Sequence, residues 1–450
     1  MHSVARTCSL TIAGLCFWTT LTAAPAMGQQ PAQQPAPPPS ATAEQGKPST
    51  TTKAPPAAQV APRTAADTAR ALREPLDTIR VDAQPAGKPP EELAVEPGPP
   101  WRTSYFPYLT GAAGDIMLAA RVRPWLPAAF EDRVTYRAAL SFDGGAGIHG
   151  SWFLTTRFDA PLLWPKWRLV AEVEGTQANR LGFYGFGNNT ERDLSLRDST
   201  QPNLFRVQRV AFDAYVEVSR RLIGRLFLAG RMAVDHARFS ALDGPSVFRS
   251  QYGTEVEATD VNGRVSLVWD SRNNEYNPRT GFLLEGGLQG GRSDGAGYTR
   301  LYTVMRGYLP LRPATVMAAR FGASNMTGTP SFNSRFELPT WENETQVYGG
   351  YTSNRGYAGG RFVGSGVVFG SLELRQDFLP IGELASGVLI AFVDAGRVFE
   401  GENFTLDGKK LHVAAGIGLG ARLLRSTIFT ANLAKGGEGW RVSAGASWAF

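Results

Sequence analysis

Trp440-Arg441-Val442-Ser443-Ala444-Gly445-Ala446-Ser447-Trp448-Ala449-Phe450 ends the chain in unbroken two-residue alternation. Trp440, Val442, Ala444, Ala446, Trp448 and Phe450 share one face. Arg441, Ser443, Gly445, Ser447 and Ala449 share the other. Successive side chains of a strand point to opposite sides, so this stretch reads as a strand with one apolar face. Leu411 to Leu423 repeats the pattern. There Leu411, Val413, Ala415, Ile417, Leu419, Ala421 and Leu423 alternate with His412, Ala414, Gly416, Gly418, Gly420 and Arg422. Val210 to Val218, Leu226 to Val234 and Val265 to Trp269 read the same way.

A soluble β-sandwich alternates too, and other features separate the two. The segments run long enough to cross a tilted bilayer, which takes about 9–11 residues. The face opposite the apolar one carries small and charged residues such as Arg209, Asp213, Glu217, Glu373, Arg375 and Asp377, as a wet lumen requires. Trp269, Trp440, Trp448 and Phe450 lie near segment ends, where interfacial aromatics belong. Lipid tolerates no open sheet edge, so the expected fold is all-β, a closed transmembrane antiparallel barrel. Working back from residue 450, strands are expected at 439–450, 425–435, 410–422, 386–398 and 365–378. A long loop over 324–364 precedes them. Further strands fall from 312–323 back to 103–110, including 281–293, 260–271, 165–175 and 114–124. The total is about sixteen, an even number as bacterial barrels prefer.

Composition agrees with this picture. The chain has 450 residues, is 43% hydrophobic and 19% charged, and contains 50 glycines. That is too apolar for a disordered protein, and no run after the first 30 residues is long enough for a membrane helix. Its net charge of +6 comes from scattered arginines with no basic cluster, which argues against nucleic-acid binding. Cys8 and Cys16 both lie in the N-terminal apolar segment, so cysteine metal sites are not expected in the remainder.

Residues 1–28 read as a signal peptide. Arg6 supplies the charge, Leu10 to Leu21 the apolar stretch, and Ala26-Met27-Gly28 the small residues before a cut at Gln29. From 29 to 100 proline, alanine, glutamine and threonine dominate without aromatics, which predicts a disordered periplasmic arm. The barrel is expected over 101–450.

The octet Ser443 to Phe450 resembles the C-terminal insertion signal of outer-membrane barrels, carried by Ser443, Gly445, Trp448 and Phe450. That likeness implies an edge strand read by the outer-membrane assembly machinery through β-augmentation. The barrel resembles the bacterial surface antigen superfamily, which includes the BamA/TamA assembly barrels and the two-partner-secretion transporters. Gly349-Gly350 and Ser353-Asn354-Arg355-Gly356-Tyr357 resemble its Arg-Gly-aromatic loop tip, differing at Asn354, where the family has an aliphatic residue. Phe392-Val393-Asp394-Ala395-Gly396 resembles its Phe-x-Asp-x-Gly strand, and Gly370 to Arg375 the strand after the loop. Asp270-Ser271-Arg272-Asn273 with Pro278 and Gly281 resembles a turn in the middle of the barrel. The superfamily's POTRA modules have no counterpart in the composition of 29–100.

Parity brings an independent argument. Alternation places Phe392, Asp394 and Gly396 on the lumen side, with Leu389, Ala391, Val393 and Ala395 toward lipid, and it turns Glu373 inward. Spacing alone favours an exposed Arg355, with these carboxylates paired to barrel arginines such as Arg375 and Arg397. The resemblance implies instead that the loop delivers Arg355 to both carboxylates at low dielectric, bound through charge-assisted bonds. Gly356 is expected to allow a tight tip, and Tyr357 to pack beside Phe392. Other chemistry is poorly supported. Gly416, Gly418 and Gly420 lack the following helix of a phosphate loop. Asp235 and His236 point to opposite faces. His149 and His412 have no serine constellation nearby. No enzyme activity, metal or cofactor is implied.

The resulting expectation is an outer-membrane barrel that assists insertion or translocation of proteins, with its loop plugging the lumen. Its partners are the bilayer, the assembly machinery and substrate polypeptides. The alternative is a passive pore or structural surface antigen.

Overall fold

In a computed structural model, described residues are 19–21, 100–112, 115–192, 201–341, 345–346, 348–381, 385–423 and 427–450. The expected signal peptide, apart from 19–21, and the expected arm, apart from residue 100, lie outside them.

Sixteen antiparallel strands form one sheet, each hydrogen-bonded to the next in sequence. They are β1 Arg102–Ala112, β2 Asp115–Pro127, β3 Tyr136–Gly147, β4 Trp152–Trp164, β5 Trp167–Gly182, β6 Arg206–Ile223, β7 Leu226–Ser240 and β8 Glu255–Asp270. After these come β9 Gly281–Ser293, β10 Ala296–Arg312, β11 Thr315–Gly328, β12 Gly366–Ile381, β13 Ala385–Phe399, β14 His412–Leu423, β15 Thr427–Gly436 and β16 Gly439–Gly445. A short helix, α1 (Val247–Tyr252), and a two-residue hairpin, Glu337–Leu338 with Thr345–Gln346, lie in the loops.

Burial along these strands is inverted relative to a water-soluble sheet. Leu267, Leu288, Leu301, Leu389, Val393, Ile417 and Leu419 are exposed on the outside. Glu217, Arg264, Arg320, Glu373 and Asp394 are buried on the inside. An apolar band of this extent is stable only against lipid, while the charged inner face pairs with itself. The ion pairs Arg157–Glu172, Arg168–Asp159 and Arg264–Glu217 do this pairing along the wall.

Several strands run past their expected ends. β5 continues to Gly182 and β11 to Gly328, so the long loop covers 329–365 and starts later than expected. Polar residues misled that reading. Ser324 sits inside a strand because the lumen accepts it.

The last strand deviates the other way. β16 has seven residues where a strand to Phe450 was expected, shorter than the roughly 9–11 that span a bilayer. Residues 446–450 leave the wall after Gly445 and are buried in the lumen at Trp448, Ala449 and Phe450. The expected ring is consequently not closed by backbone bonds, since no ladder joins β16 to β1. Two contacts stand at this seam. Phe106 of β1 stacks on Phe429 of β15 at 6.0 Å between ring centroids. Thr19–Leu21 pair antiparallel with the free edge of β16, Thr19 opposite Ala444 and Leu21 opposite Val442.

The rim that carries the long loops is roofed by an aromatic cluster. Phe183, Phe248, Phe332 and Phe336 from the loops after β5, β7 and β11 meet Phe239 near the end of β7, with Phe183 and Phe248 edge to face at 5.6 Å. Ser246 caps α1 by accepting the Arg249 amide at 3.1 Å, which holds Phe248 in the cluster. Phe183→Ala is expected to cost about 3–5 kcal/mol at this site. Faster proteolysis of the loops, with the barrel's folded gel mobility retained, would report the loss.

Candidate functional site: a loop locked to the barrel wall

The loop over 329–365 turns inward and its tip lies against β12, β13 and β14. Gly349 and Gly350 have φ of 103° and 95°, which L side chains rarely adopt, so glycine there makes the inward bend. The Ser353 hydroxyl accepts the Gly349 amide at 2.9 Å and closes that bend.

Arg355 is 2% exposed. Its Nε and Nη2 donate to the two oxygens of Asp394 at 2.9 and 2.8 Å, and its backbone amide donates to the same carboxylate at 3.0 Å. Nη1 donates to Glu373, and the guanidinium lies 3.4 Å from the centroid of the Phe392 ring. Glu373 opposes Phe392 and Ser371 opposes Asp394 in the β12–β13 register, so one stretch of wall presents all the partners. The arrangement is a fork-to-carboxylate pair with a cation–π base, the kind of site in which lysine cannot replace arginine. Burial disfavours the charge, yet Asp394 and Glu373 hold the Arg355 pKa above its ordinary value. Glu373 also accepts Arg375 Nε at 2.7 Å, so two cations share it.

The neighbours of Arg355 differ in part from their sequence roles. Gly356 was expected to allow a tight tip, and what demands glycine there is space. A Cβ there would strike the Ala414 methyl and come within 3.0 Å of the Gly436 amide nitrogen. Tyr357 packs on Phe362 and His412, at 5.3 and 5.6 Å, and not beside Phe392. Its hydroxyl accepts the Gly437 amide at 2.9 Å. The guanidinium occupies the Phe392 face instead. Asn354 makes polar bonds, donating to Tyr348 Oη at 2.6 Å and to the His412 carbonyl at 3.0 Å. Gly396 and Gly416 thin the wall, leaving room for the rings of Tyr348 and Phe392 respectively.

The C-terminal residues divide. Ser443 faces the lumen, and Gly445 lies under the ring of Tyr351, where a Cβ would come within 2.5 Å of Tyr351 Cζ. Trp448 and Phe450 lie in the lumen and not toward lipid, because the strand stops at Gly445. Asp235 faces the lumen and accepts from Asn262 at 2.6 Å, whereas His236 contacts Thr259 on the outer side. His149 pairs with Asp115 at 2.9 Å in a turn, and His412 meets the Asn188 carbonyl at 2.9 Å.

Tyr351 was not singled out in the sequence. Its hydroxyl contacts Thr430 Oγ1 at 2.5 Å and also donates to the Ser447 carbonyl. The turn over 271–280 had been read only as a familiar motif, and it reaches into the lumen. There Arg272 forks onto Asp270 at 3.0 Å through both Nε and Nη2.

Fold and site together define a class, the membrane β-barrels whose lumen receives an arginine-tipped loop. The Omp85 superfamily domain model matches residues 178–446, more than half of the chain, and the protein belongs to that superfamily of outer-membrane barrels. Similar solved structures include BamA from Haemophilus ducreyi lacking POTRA domains 1–3, at 15% identity over 77% of this chain and 70% of that one, TM-score 0.49. CdiB from Acinetobacter baumannii is 12% identical over 76% of this chain and 65% of its own, TM-score 0.43. CdiB from Escherichia coli is 10% identical over 76% and 62%, TM-score 0.49. The chain thus spans less than two thirds of either CdiB chain. The comparison with curated protein sequences returns no match.

Proposed function

We propose that this barrel assists insertion or translocation of polypeptides at the outer membrane through the seam between β1 and β16, while the loop over 329–365 plugs the lumen. The seam carries the reading. β16 is short and shares no ladder with β1. An unpaired edge next to lipid is costly, so a substrate strand that satisfies its amides and carbonyls is stabilised there. The Arg355 lock supports the plug, because it ties the loop to the wall by buried charge-assisted bonds. In this reading residues 1–28 are removed on export and 29–100 form a periplasmic arm.

Planar-bilayer conductance and photo-crosslinking test the proposal together. The intact protein is expected to give small, brief currents, and deletion of residues 345–357 large steady ones. A photo-reactive residue at position 442 is expected to trap strands of other outer-membrane polypeptides during their assembly. Large steady currents from the intact protein, with no trapped polypeptide, would favour the passive pore.

A further inference from the structure

Arg441 is a buried cation without a counter-ion. It stands near the long-loop end of β16, opposite Ala434 of β15, and shares the lumen face with Ser443. It is 5% exposed, yet among the described residues no hydrogen bond or ion pair reaches its guanidinium. Arginine carries five N–H donors and stays charged, so burying it unpaired leaves a large electrostatic cost standing.

The surroundings add to that cost. Beside Arg441 lie the charged groups of Arg192, Arg206 and Glu438, together with Tyr184. Glu438 is the one carboxylate among these neighbours, and two other arginines already hold it. Arg192 Nη1 donates to its Oε2 at 2.9 Å, and Arg361 Nε donates to its Oε1. Arg206 donates to the Arg180 carbonyl at 2.7 Å.

The donors divide into spent and unspent. Arg361 uses all three nitrogens, on Glu438 and on the hydroxyl and carbonyl of Thr190, the last two at 2.6 Å each. The Tyr184 and Phe362 rings flank it at 4.7 and 4.4 Å. Arg361 therefore positions Glu438 and has no donor left for a ligand. Arg192 makes the single bond to Glu438, so its Nε and Nη2 have no acceptor among the described residues. The Tyr184 hydroxyl has none either, while its ring is fixed by stacking on Phe205 at 5.4 Å. This corner of the lumen, where the loop after β5, the plug loop and the β15–β16 turn meet, is rich in donors and short of acceptors.

We infer that Arg441 and Arg192, with the Tyr184 hydroxyl, bind a phosphate group at the long-loop mouth of the lumen. Forked guanidiniums match phosphate oxygens, and a phosphate charge of about −1.5 to −2 balances two arginines where a single peptide carboxylate would balance one. Glu438 competes for Arg192 and so tunes the affinity. Long loops of outer-membrane barrels face the exterior, so the group comes either free from the medium or on the headgroup of a phosphorylated glycolipid in the outer leaflet. The site stands whether or not the barrel moves polypeptides.

Inorganic phosphate titrated onto the full chain in micelles at constant ionic strength, followed by broadening of its phosphorus resonance, tests the site. Saturable broadening is expected, because the buried guanidiniums are screened far less than surface charges. Arg441→Gln is expected to weaken binding about tenfold or more, as loss of a charge-assisted bond implies. Glu438→Gln strengthens it by removing the competing carboxylate, a change of opposite sign that a merely structural Arg441 would not produce. Arg238→Gln, at an exposed arginine paired with Glu257, leaves it unchanged. Heat-dependent gel mobility selects the variants that fold. Broadening that never saturates, or parent-level binding in folded Arg441→Gln and Arg192→Gln, overturns the inference. Vesicles of phosphatidylcholine with and without lipid A then separate the sources. Phosphate binding lost only in the lipid A vesicles supports the site as one for the glycolipid headgroup, and binding equal in both supports it as one for the free ion.

Discussion

Arg355→Ala is expected to free the loop over 329–365 from the wall and to destabilise the barrel by about 3–5 kcal/mol, the range for removing one partner of a buried ion pair. The cost comes from what remains. Asp394 and Glu373 are each 1% exposed and stay in the wall. Asp394 loses both side-chain bonds from Arg355, while Glu373 keeps Arg375. Phe392 also loses the cation on its face. Arg355→Lys keeps the charge but cannot fork onto Asp394 while reaching Glu373, so most of the loss should persist. Asp394→Asn should cost less than Arg355→Ala, since Glu373 still receives the guanidinium. Trypsin cleavage within 329–365 and the temperature at which folded gel mobility is lost are the readouts. Protection and stability unchanged in Arg355→Ala would show that the other contacts of the loop, those of Tyr348, Tyr351, Asn354 and Tyr357 among them, hold it without the Arg355 fork.

How much of this was legible in the chain depends on the range of the cause. Strand parity is local, and it put Glu373, Phe392 and Asp394 on one side of the wall before any contact was known. Arg355 could be matched to them only through the loop motif, because spacing does not say where a loop of this length folds back. The tight tip expected of Gly356 left its cause open, because two different physical demands select glycine. At Gly356 the demand is close approach to Ala414 and Gly436. Tyr357 was assigned to Phe392 without knowing that the guanidinium would take that ring. The strand to Phe450 was misread for a reason of the same kind. Alternation reports which faces residues can serve, and it is silent on whether a neighbouring edge is available to pair with them. The ring left unclosed at β16 follows from that choice and not from any weakness in the pattern.

Asp270→Ala is expected to be nearly as damaging as loss of Arg355, at about 3–5 kcal/mol, and at the opposite rim of the barrel. Asp270 is fully buried at the end of β8. Its carboxylate accepts Arg272 Nε and Nη2 at 3.0 Å each, the Arg272 amide at 3.1 Å, and Arg133 from the turn after β2. Truncation removes the charge that both guanidiniums face. The turn over 271–280 has local bonds of its own, with Asn273 Oδ1 accepting the Arg279 and Thr280 amides and Asn274 Oδ1 those of Tyr276 and Asn277. It should therefore swing out as a unit without unravelling. Asn277 would then leave the Trp448 indole, so the damage should reach the C-terminal tail as well. Arg279→Ala provides the contrast. Its pair with Asp377 is partly exposed on both sides, and such pairs contribute about 0–1 kcal/mol. Rapid trypsin cleavage after Arg272 in Asp270→Ala, against slow cleavage in the Arg279→Ala variant, is the expected result. Equal rates in the two would mean that the asparagine bonds alone seat the turn, and that the buried aspartate only neutralises the arginines around it.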